Sequence, residues 1–314
     1  MTRKQFFLLL FLFMVSYNLS SQSKVDNTKP MYGEAEKDER YKKVDDDFRK
    51  DALEKFGSVD NAVNDYVQAA WLLFYRNDLE TAMKRFNQAW LLNPEFPDAY
   101  FGFAALLEMQ GNNAEAVRFY ALGAEKDKGN RRTIICYQRI AECKEQLGDL
   151  KGALAAILKL KTLNPNDVLV YKKAGYLQMA LGSYYLALAE YAKAIELDPN
   201  DAMTFYHRAH LHQTMNNPVK AIADYTKSVI LDPTYVNAYV SRGILEMQLD
   251  NCDAGKQDFE TAIRLGGQSG ELRRLLGVAK LSLDEQEEAC KDFRLAKQLG
   301  DPIVDELINK YCKQ

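Results

Sequence analysis

An all-helical chain of repeated antiparallel helix pairs is the fold class this sequence predicts, and three observations predict it. In Val168–Asn200 the apolar and small residues fall on two amphipathic helices, roughly Val168–Leu181 and Tyr185–Leu197, joined by a short turn at Gly182-Ser183. The same frame recurs on both sides of that block, from Val63 to Leu299. Pro94, Pro165, Pro199 and Pro233 stand where second helices must end, because a helix interior does not accommodate proline.

Within the block, Gly175, Ala187 and Ala194 are small enough to let two helix backbones approach closely, and Tyr171, Leu181 and Tyr191 fill the seam. The ordered set Tyr171, Ala174, Gly175, Leu181-Gly182, Ala187, Tyr191, Ala194 and Pro199 resembles the tetratricopeptide repeat, whose period is about 34 residues. That resemblance covers residues 63–299 and implies a right-handed superhelical solenoid of about seven helix-turn-helix repeats. It further implies that the first helix of each pair lines a concave groove that binds a protein or an extended peptide.

Residues 1–21 read as a secretory signal peptide: Arg3 and Lys4, then the apolar run Phe6–Val15, then small polar residues up to Ser21. The run is shorter than the roughly 20 residues that span a bilayer, so no stable membrane span is expected in the mature chain. No Cys follows it closely, so no lipoprotein signal is read. Residues 22–40 are polar, charged and aperiodic, the composition of a flexible tether. From residue 41 to residue 57 an apolar stripe, Tyr41, Val44, Phe48, Ala52, Leu53 and Phe56, spaces as a helix that Gly57 stops, an N-terminal cap for the array.

The first repeat carries Tyr66, Ala69, Ala82, Phe86 and Pro94, and the second Tyr100, Ala104, Gly111, Ala116 and Tyr120. About three extra residues follow the second, around Lys128-Gly129-Asn130, and the third resumes with Tyr137, Ala141, Gly148 and Ala153. The fifth has Phe205, Ala209, Ala221 and Tyr225; the sixth has Tyr239, Gly243, Phe259 and Ala262, with Gly266-Gly267 in place of its proline. The seventh departs furthest, with Arg273 where an aromatic residue is expected. Asp301 and Pro302 then open a C-terminal capping helix, residues 301–312, with Val304, Leu307, Ile308 and Tyr311 as its buried stripe.

Formal net charge is −3, and loss of Arg3 and Lys4 with the leader makes it more acidic, which argues against a nucleic-acid partner. Five Cys occur without a CxxC motif. Cys136 and Cys143 would lie about 10 Å apart along one helix, too far for a disulfide. The expectation is buried small side chains, with no disulfide framework.

No catalytic constellation appears and no enzyme or cofactor is expected. Gly266–Gly270 lacks the Gly-Lys-Ser/Thr ending of a phosphate loop, and Asp45-Asp46-Asp47 lacks the spacing of a calcium loop. His207, His210 and His212 have no further ligands at metal-binding spacing.

Carried onto this sequence, the family's groove positions begin apolar and aromatic: Trp71, Phe74, Tyr75, Phe101 and Met109, with Ala105 and Glu108 among them. Whether the capping helix covers this patch is open at this point. Further on come Gln138, Arg139, Glu142 and Glu145, then Lys172, Lys173, Tyr176 and Met179, then Tyr206, His207, His210 and Gln213. Arg139, Lys172, Lys173, Tyr176, Tyr206, His207 and His210 are expected on one wall that suits an acidic segment and loses affinity with salt and as pH rises through about 6.5. The rival is a wall whose cations are paired with Glu142 and Glu145. The family's carboxylate clamp is incomplete, because Tyr176 and His210 stand at its Asn positions. The function expected is an exported adaptor, periplasmic or secreted, with groove binding of a glycan as the alternative.

Overall fold

The computed structural model describes residues 25–128 and 131–312. The leader expected at residues 1–21 lies outside them. Among the described residues there are sixteen α-helices, one 3-10 turn at Pro30–Glu34 and no strand. The chain divides between Leu163 and Asn164 into two compact units.

The first unit contains α1 (Glu39–Phe56), α2 (Val59–Tyr75), α3 (Leu79–Leu92), α4 (Pro97–Met109), α5 (Asn113–Asp127), α6 (Arg131–Gln146) and α7 (Leu150–Leu163). After α1 these helices pack as the pairs α2/α3, α4/α5 and α6/α7. The second unit contains α8 (Val168–Ala180), α9 (Tyr184–Leu197), α10 (Ala202–Thr214), α11 (Pro218–Leu231), α12 (Val236–Gln248), α13 (Cys252–Arg264), α14 (Gly270–Ser282), α15 (Gln286–Gln298) and α16 (Val304–Tyr311). Four pairs, α8/α9 to α14/α15, are followed there by the single helix α16.

One turn recurs in every pair. Asn77, Gly111, Gly148, Gly182, Asn216, Asp250 and Asp284 all have φ between 57° and 76°, the left-handed region open to Gly, Asn and Asp. They lie 34 residues apart, except for a step of 37 between Gly111 and Gly148. Side-chain caps start several helices: Asp78 accepts from Thr81 N, Asn112 from Glu115 N and Ser269 from Leu272 N.

In the pairs α8/α9, α12/α13 and α14/α15, a glycine on the first helix receives an aromatic ring from the second. A Cβ at Gly175 would stand 2.8 Å from Tyr191 Cε1, and one at Gly243 would stand 2.8 Å from Phe259 Cε1. Ala187 and Ala194 are fully buried beside Tyr191 on α9. Just before each of these rings in the later pairs sits a buried carboxylate. Arg208 grips Asp224 with two bonds of 2.7 Å, and Arg242 grips Asp258 with bonds of 2.8 and 2.7 Å. Asp292 takes Arg273 at 2.9 Å and Lys280 at 2.7 Å, so the Arg that breaks the aromatic pattern of the seventh repeat has an ionic role in its place. Arg242 also donates to Thr226 Oγ1 at 3.0 Å, tying α12 to the preceding α11.

Four expectations need correction. First, the stretch 22–40 is not a free tether where it is described: residues 26–34 dock on α3. Tyr32 is buried beside Trp90, with rings 6.4 Å apart, and Lys37 Nζ stands 3.7 Å above the Tyr32 ring while pairing with Asp45 at 2.6 Å. Asn87, 0% exposed, holds the turn through its side-chain amide. Met31, Tyr32 and Glu34 are all left-handed, a conformation that costs roughly 1–2 kcal/mol per residue and that this docking offsets.

Second, α1 rests on α2 through Phe48 and Phe56, each with its ring 5.7 Å from that of Tyr66, while Tyr41, Val44 and Leu53 stay exposed. Third, Cys290 and Cys312 form a disulfide with Cα atoms 5.5 Å apart, and Cys252 is only partly buried. Fourth, the last helix begins at Val304. Asp301 pairs with Arg274 at 2.9 Å and accepts from Ile303 N at 3.0 Å instead of capping a helix at Pro302.

Candidate partner-binding site

In the first unit, α2, α4 and α6 border an open cleft of about 580 Å³. Trp71, Phe74 and Tyr75 come from α2, where their i, i+3, i+4 spacing puts them on one face. Phe101, Ala105 and Met109 come from α4 at intervals of four residues, and Arg132, Ile135, Cys136 and Arg139 come from α6. No α1 residue lines the cleft, so the capping helix leaves it uncovered. Tyr75 is 80% exposed, Met109 58% and Ile135 49%.

The aromatic wall is braced from beneath. The Trp71 ring meets Phe86 edge-on at 5.2 Å, Phe74 at 5.4 Å and Tyr75 at 6.3 Å. The polar floor is satisfied within itself. The Tyr120 hydroxyl donates to Glu108 at 2.8 Å, and Arg139 Nε donates to the same carboxylate at 3.1 Å. Arg139 Nη1 reaches Glu142 at 2.6 Å. Burial, with Glu108 beside it, pushes the Tyr120 phenol above its ordinary range. Arg132 pairs with Asp98 and lies over the Phe101 ring.

The opening has a cause in chain length. Among the first helices of the pairs, α2 runs 17 residues and α6 runs 16 where α4, α8, α10, α12 and α14 run 13, and in α6 the extra residues between Gly111 and Gly148 enter near its N-terminus. It packs along α5 as extensively as partners within a pair do, whereas the contact between successive pairs inside the second unit is slighter. Its first turns, with Arg132, Ile135 and Cys136, thereby reach the cleft. Gln138, Glu142 and Glu145, expected on this wall, do not line the cleft, and Arg132, Ile135 and Cys136, which were not expected, do. The signal that finds them is the spacing of 132, 135, 136 and 139 on one helix face.

The other predicted residues lie on α8 and α10 of the second unit. Lys172 pairs with Asp201 at 2.5 Å, and Lys173 Nζ is 5.7 Å from the centre of the Tyr176 ring. Tyr206 is enclosed by the rings of His207, Tyr225 and Tyr235, the last at 5.1 Å. His207 stacks on Tyr191 at 6.2 Å and 14°, while His210 is exposed. Burial, and then Lys172, hold the His207 imidazole below its ordinary 6.5. Arg139 and Lys172 are therefore engaged internally, contrary to the expectation of cations offered to an acidic segment. Among the described residues no group of His, Cys, Asp and Glu is arranged to hold a metal ion. No helix there is long and apolar enough to cross a membrane.

Residues 73–132 and 135–167 match the family described as tetratricopeptide repeat, and residues 175–216 match that described as TPR repeat. The chain carries tetratricopeptide repeats. The matched repeats take in both sides of the cleft, from Phe74 on α2 to Arg139 on α6. The pairs α12/α13 and α14/α15 lie beyond the matched segments and keep the repeat's left-handed turn at Asp250 and Asp284.

A tetratricopeptide repeat protein from Parabacteroides merdae is 20% identical, with a TM-score of 0.55, and the match covers 80% of this chain and 99% of that one. The C-terminal part of a TPR repeat-containing protein from Cytophaga hutchinsonii is 17% identical at a TM-score of 0.63, covering 77% and 98%. YrrB, described as a TPR protein with an unusual peptide-binding site, is 22% identical at a TM-score of 0.50, covering 60% and 95%. At these identities the likeness is one of repeat fold. No curated protein sequence matches the chain.

Proposed function

We propose that this protein is an exported repeat scaffold that holds an apolar segment of a partner protein in the cleft between α2, α4 and α6. One observation carries the reading: the aromatic wall of Trp71, Phe74 and Tyr75 is open although the capping helix α1 lies next to it in sequence. Large rings that stay exposed on a braced wall gain most when a partner side chain displaces water from them. The cleft's charges already have partners, so apolar contact is the main source of affinity and added salt has a small effect. Export is supported by the leader-like residues 1–21 and by the Cys290–Cys312 disulfide, a bond suited to an oxidising compartment.

The protein's two Trp, Trp71 and Trp90, give a direct test. A Trp90→Phe variant leaves Trp71 as the reporter of occupancy, and apolar peptides from an array are titrated against its fluorescence. Trp71→Ala and Tyr75→Ala should each weaken peptide retention about tenfold or more, as removal of a central aromatic anchor does. Unchanged retention in both variants, with intact helical circular dichroism, removes the cleft from the reading. Binding of glycan fragments with no peptide response would move the assignment to a polymer other than protein.

A further inference from the structure

We propose that the C-terminal helix is a redox latch: a dithiol reductant that opens Cys290–Cys312 releases α16 and uncovers the apolar end of the array. Helix α16 has eight residues, too few to remain helical alone. It is held to α15 by Val304, Leu307 and Ile308 against Phe293 and Ala296, by Lys297 on Asp305 at 2.7 Å, by Gln286 Nε2 donating to the Tyr311 carbonyl at 2.6 Å, and by the disulfide at its far end. Just ahead of it, Asp301 is fixed by Arg274 at 2.9 Å. Cutting the disulfide removes the covalent tie and leaves the segment after Asp301 on these non-covalent contacts, with the α14/α15 pair anchored.

The bond is reachable. An open recess bordered by Glu285, Glu287, Glu288 and Tyr311 has both cysteines in its lining. Cys290 is buried and Cys312 is partly exposed, so the attacking thiolate meets the Cys312 sulfur. The S–S bond breaks, a mixed disulfide forms at Cys312, and Cys290 leaves as a thiolate that takes a proton from water. The second thiol of the reductant gives up its proton and attacks the mixed disulfide. Cys312 is released as a thiol and the reductant departs as a cyclic disulfide. Two electrons and two hydrogens pass from the dithiol to the protein.

The test is amide hydrogen exchange of the full chain with and without dithiothreitol, read by mass spectrometry. The other cysteines, Cys136, Cys143 and Cys252, are free, so the reagent has one described disulfide to act on. Exchange across residues 304–311 should rise about tenfold or more on reduction, with α14 and α15 unchanged. Cys290 should become open to alkylation. Cys312→Ser should show the raised exchange without reductant and no further change with it. Unchanged exchange at 304–311 in both the reduced protein and Cys312→Ser overturns the proposal, as does loss of protection throughout the second unit. Free thiols at Cys290 and Cys312 in a non-reducing peptide map of the exported chain overturn it as well.

Discussion

Asn87 holds the backbone of Lys29: its side-chain amide donates to the Lys29 carbonyl at 2.8 Å from within a helix 58 residues away in sequence. The same group donates to the Asn27 carbonyl at 3.1 Å, and Asn87 Oδ1 accepts from Tyr32 N at 3.4 Å. Asn87→Ala should release residues 26–34 and lower stability by about 1–3 kcal/mol, the range for a lost buried hydrogen-bonding side chain. Chemical denaturation measures the loss, and hydrogen exchange at 26–34 locates it. Unaltered protection of Tyr32 would show that its ring, without Asn87, holds the strap.

The seam inside a repeat is tight enough to reject added bulk. Ala187→Leu and Gly175→Leu should each cost about 1–3 kcal/mol through overpacking against Tyr191, visible as a lower thermal midpoint. A melting curve unchanged by Ala187→Leu would mean that the helix has shifted register around it.

The buried ion pairs should be costly to break and cheap to replace. Arg242→Ala leaves Asp258 uncompensated and should destabilise by about 3–5 kcal/mol. The double variant Arg242→Met, Asp258→Leu should recover most of that loss. The comparison is made by urea titration, and a double variant no more stable than the single one would assign the pair a specific structural role.

Acidification should weaken the second unit. His207 and His212 both have imidazole values lowered from 6.5, in each case chiefly by burial. Lys172 and His210 press His207 further down while Asp201 opposes them; Arg208 and Lys220 do the same at His212 against Asp224. A value lower in the folded than in the unfolded chain means that the unfolded chain binds the proton more readily. Their contribution is full above 6.5 and is lost as pH falls through the lowered folded values. Thermal midpoints should therefore decline as pH drops below about 6.5, and His207→Gln should flatten that decline. NMR titration of the His207 ring gives its value directly, and one above 6.5 would reverse the sign.

Much of the fold is legible because a repeat states itself several times. Gly175 with Tyr191, Gly243 with Phe259, and Gly277 with Phe293 are the same contact written at one spacing. The buried acids Asp224, Asp258 and Asp292 recur at the same 34-residue period, each just ahead of a seam ring, and are legible on the same ground. The docked strap was not legible, since the conformation of residues 26–34 depends on one polar side chain far along the sequence. Nor was the disulfide, because it forms only where α16 folds back on α15, and an odd number of Cys does not indicate which pair meets. At the cleft, the α2 and α4 residues were read from the family frame, while α6 contributed Arg132, Ile135 and Cys136 beside the expected Arg139 because its added residues displaced that frame.

Those added residues amount to a phase slip in a chain that otherwise keeps time. Between Gly111 and Gly148 the beat lengthens from 34 to 37 residues, and the cleft lies against the helix that absorbs the difference. A binding wall in a periodic array need not be carved by exchanging side chains. Here three surplus residues, less than one helical turn, lengthen α6 beyond α4 and bring Arg132, Ile135 and Cys136 to the cleft. Length, as much as residue identity, is then what a variant series should vary: an array shortened ahead of Ile134 keeps every ring of Trp71, Phe74 and Tyr75 and loses the gap they face.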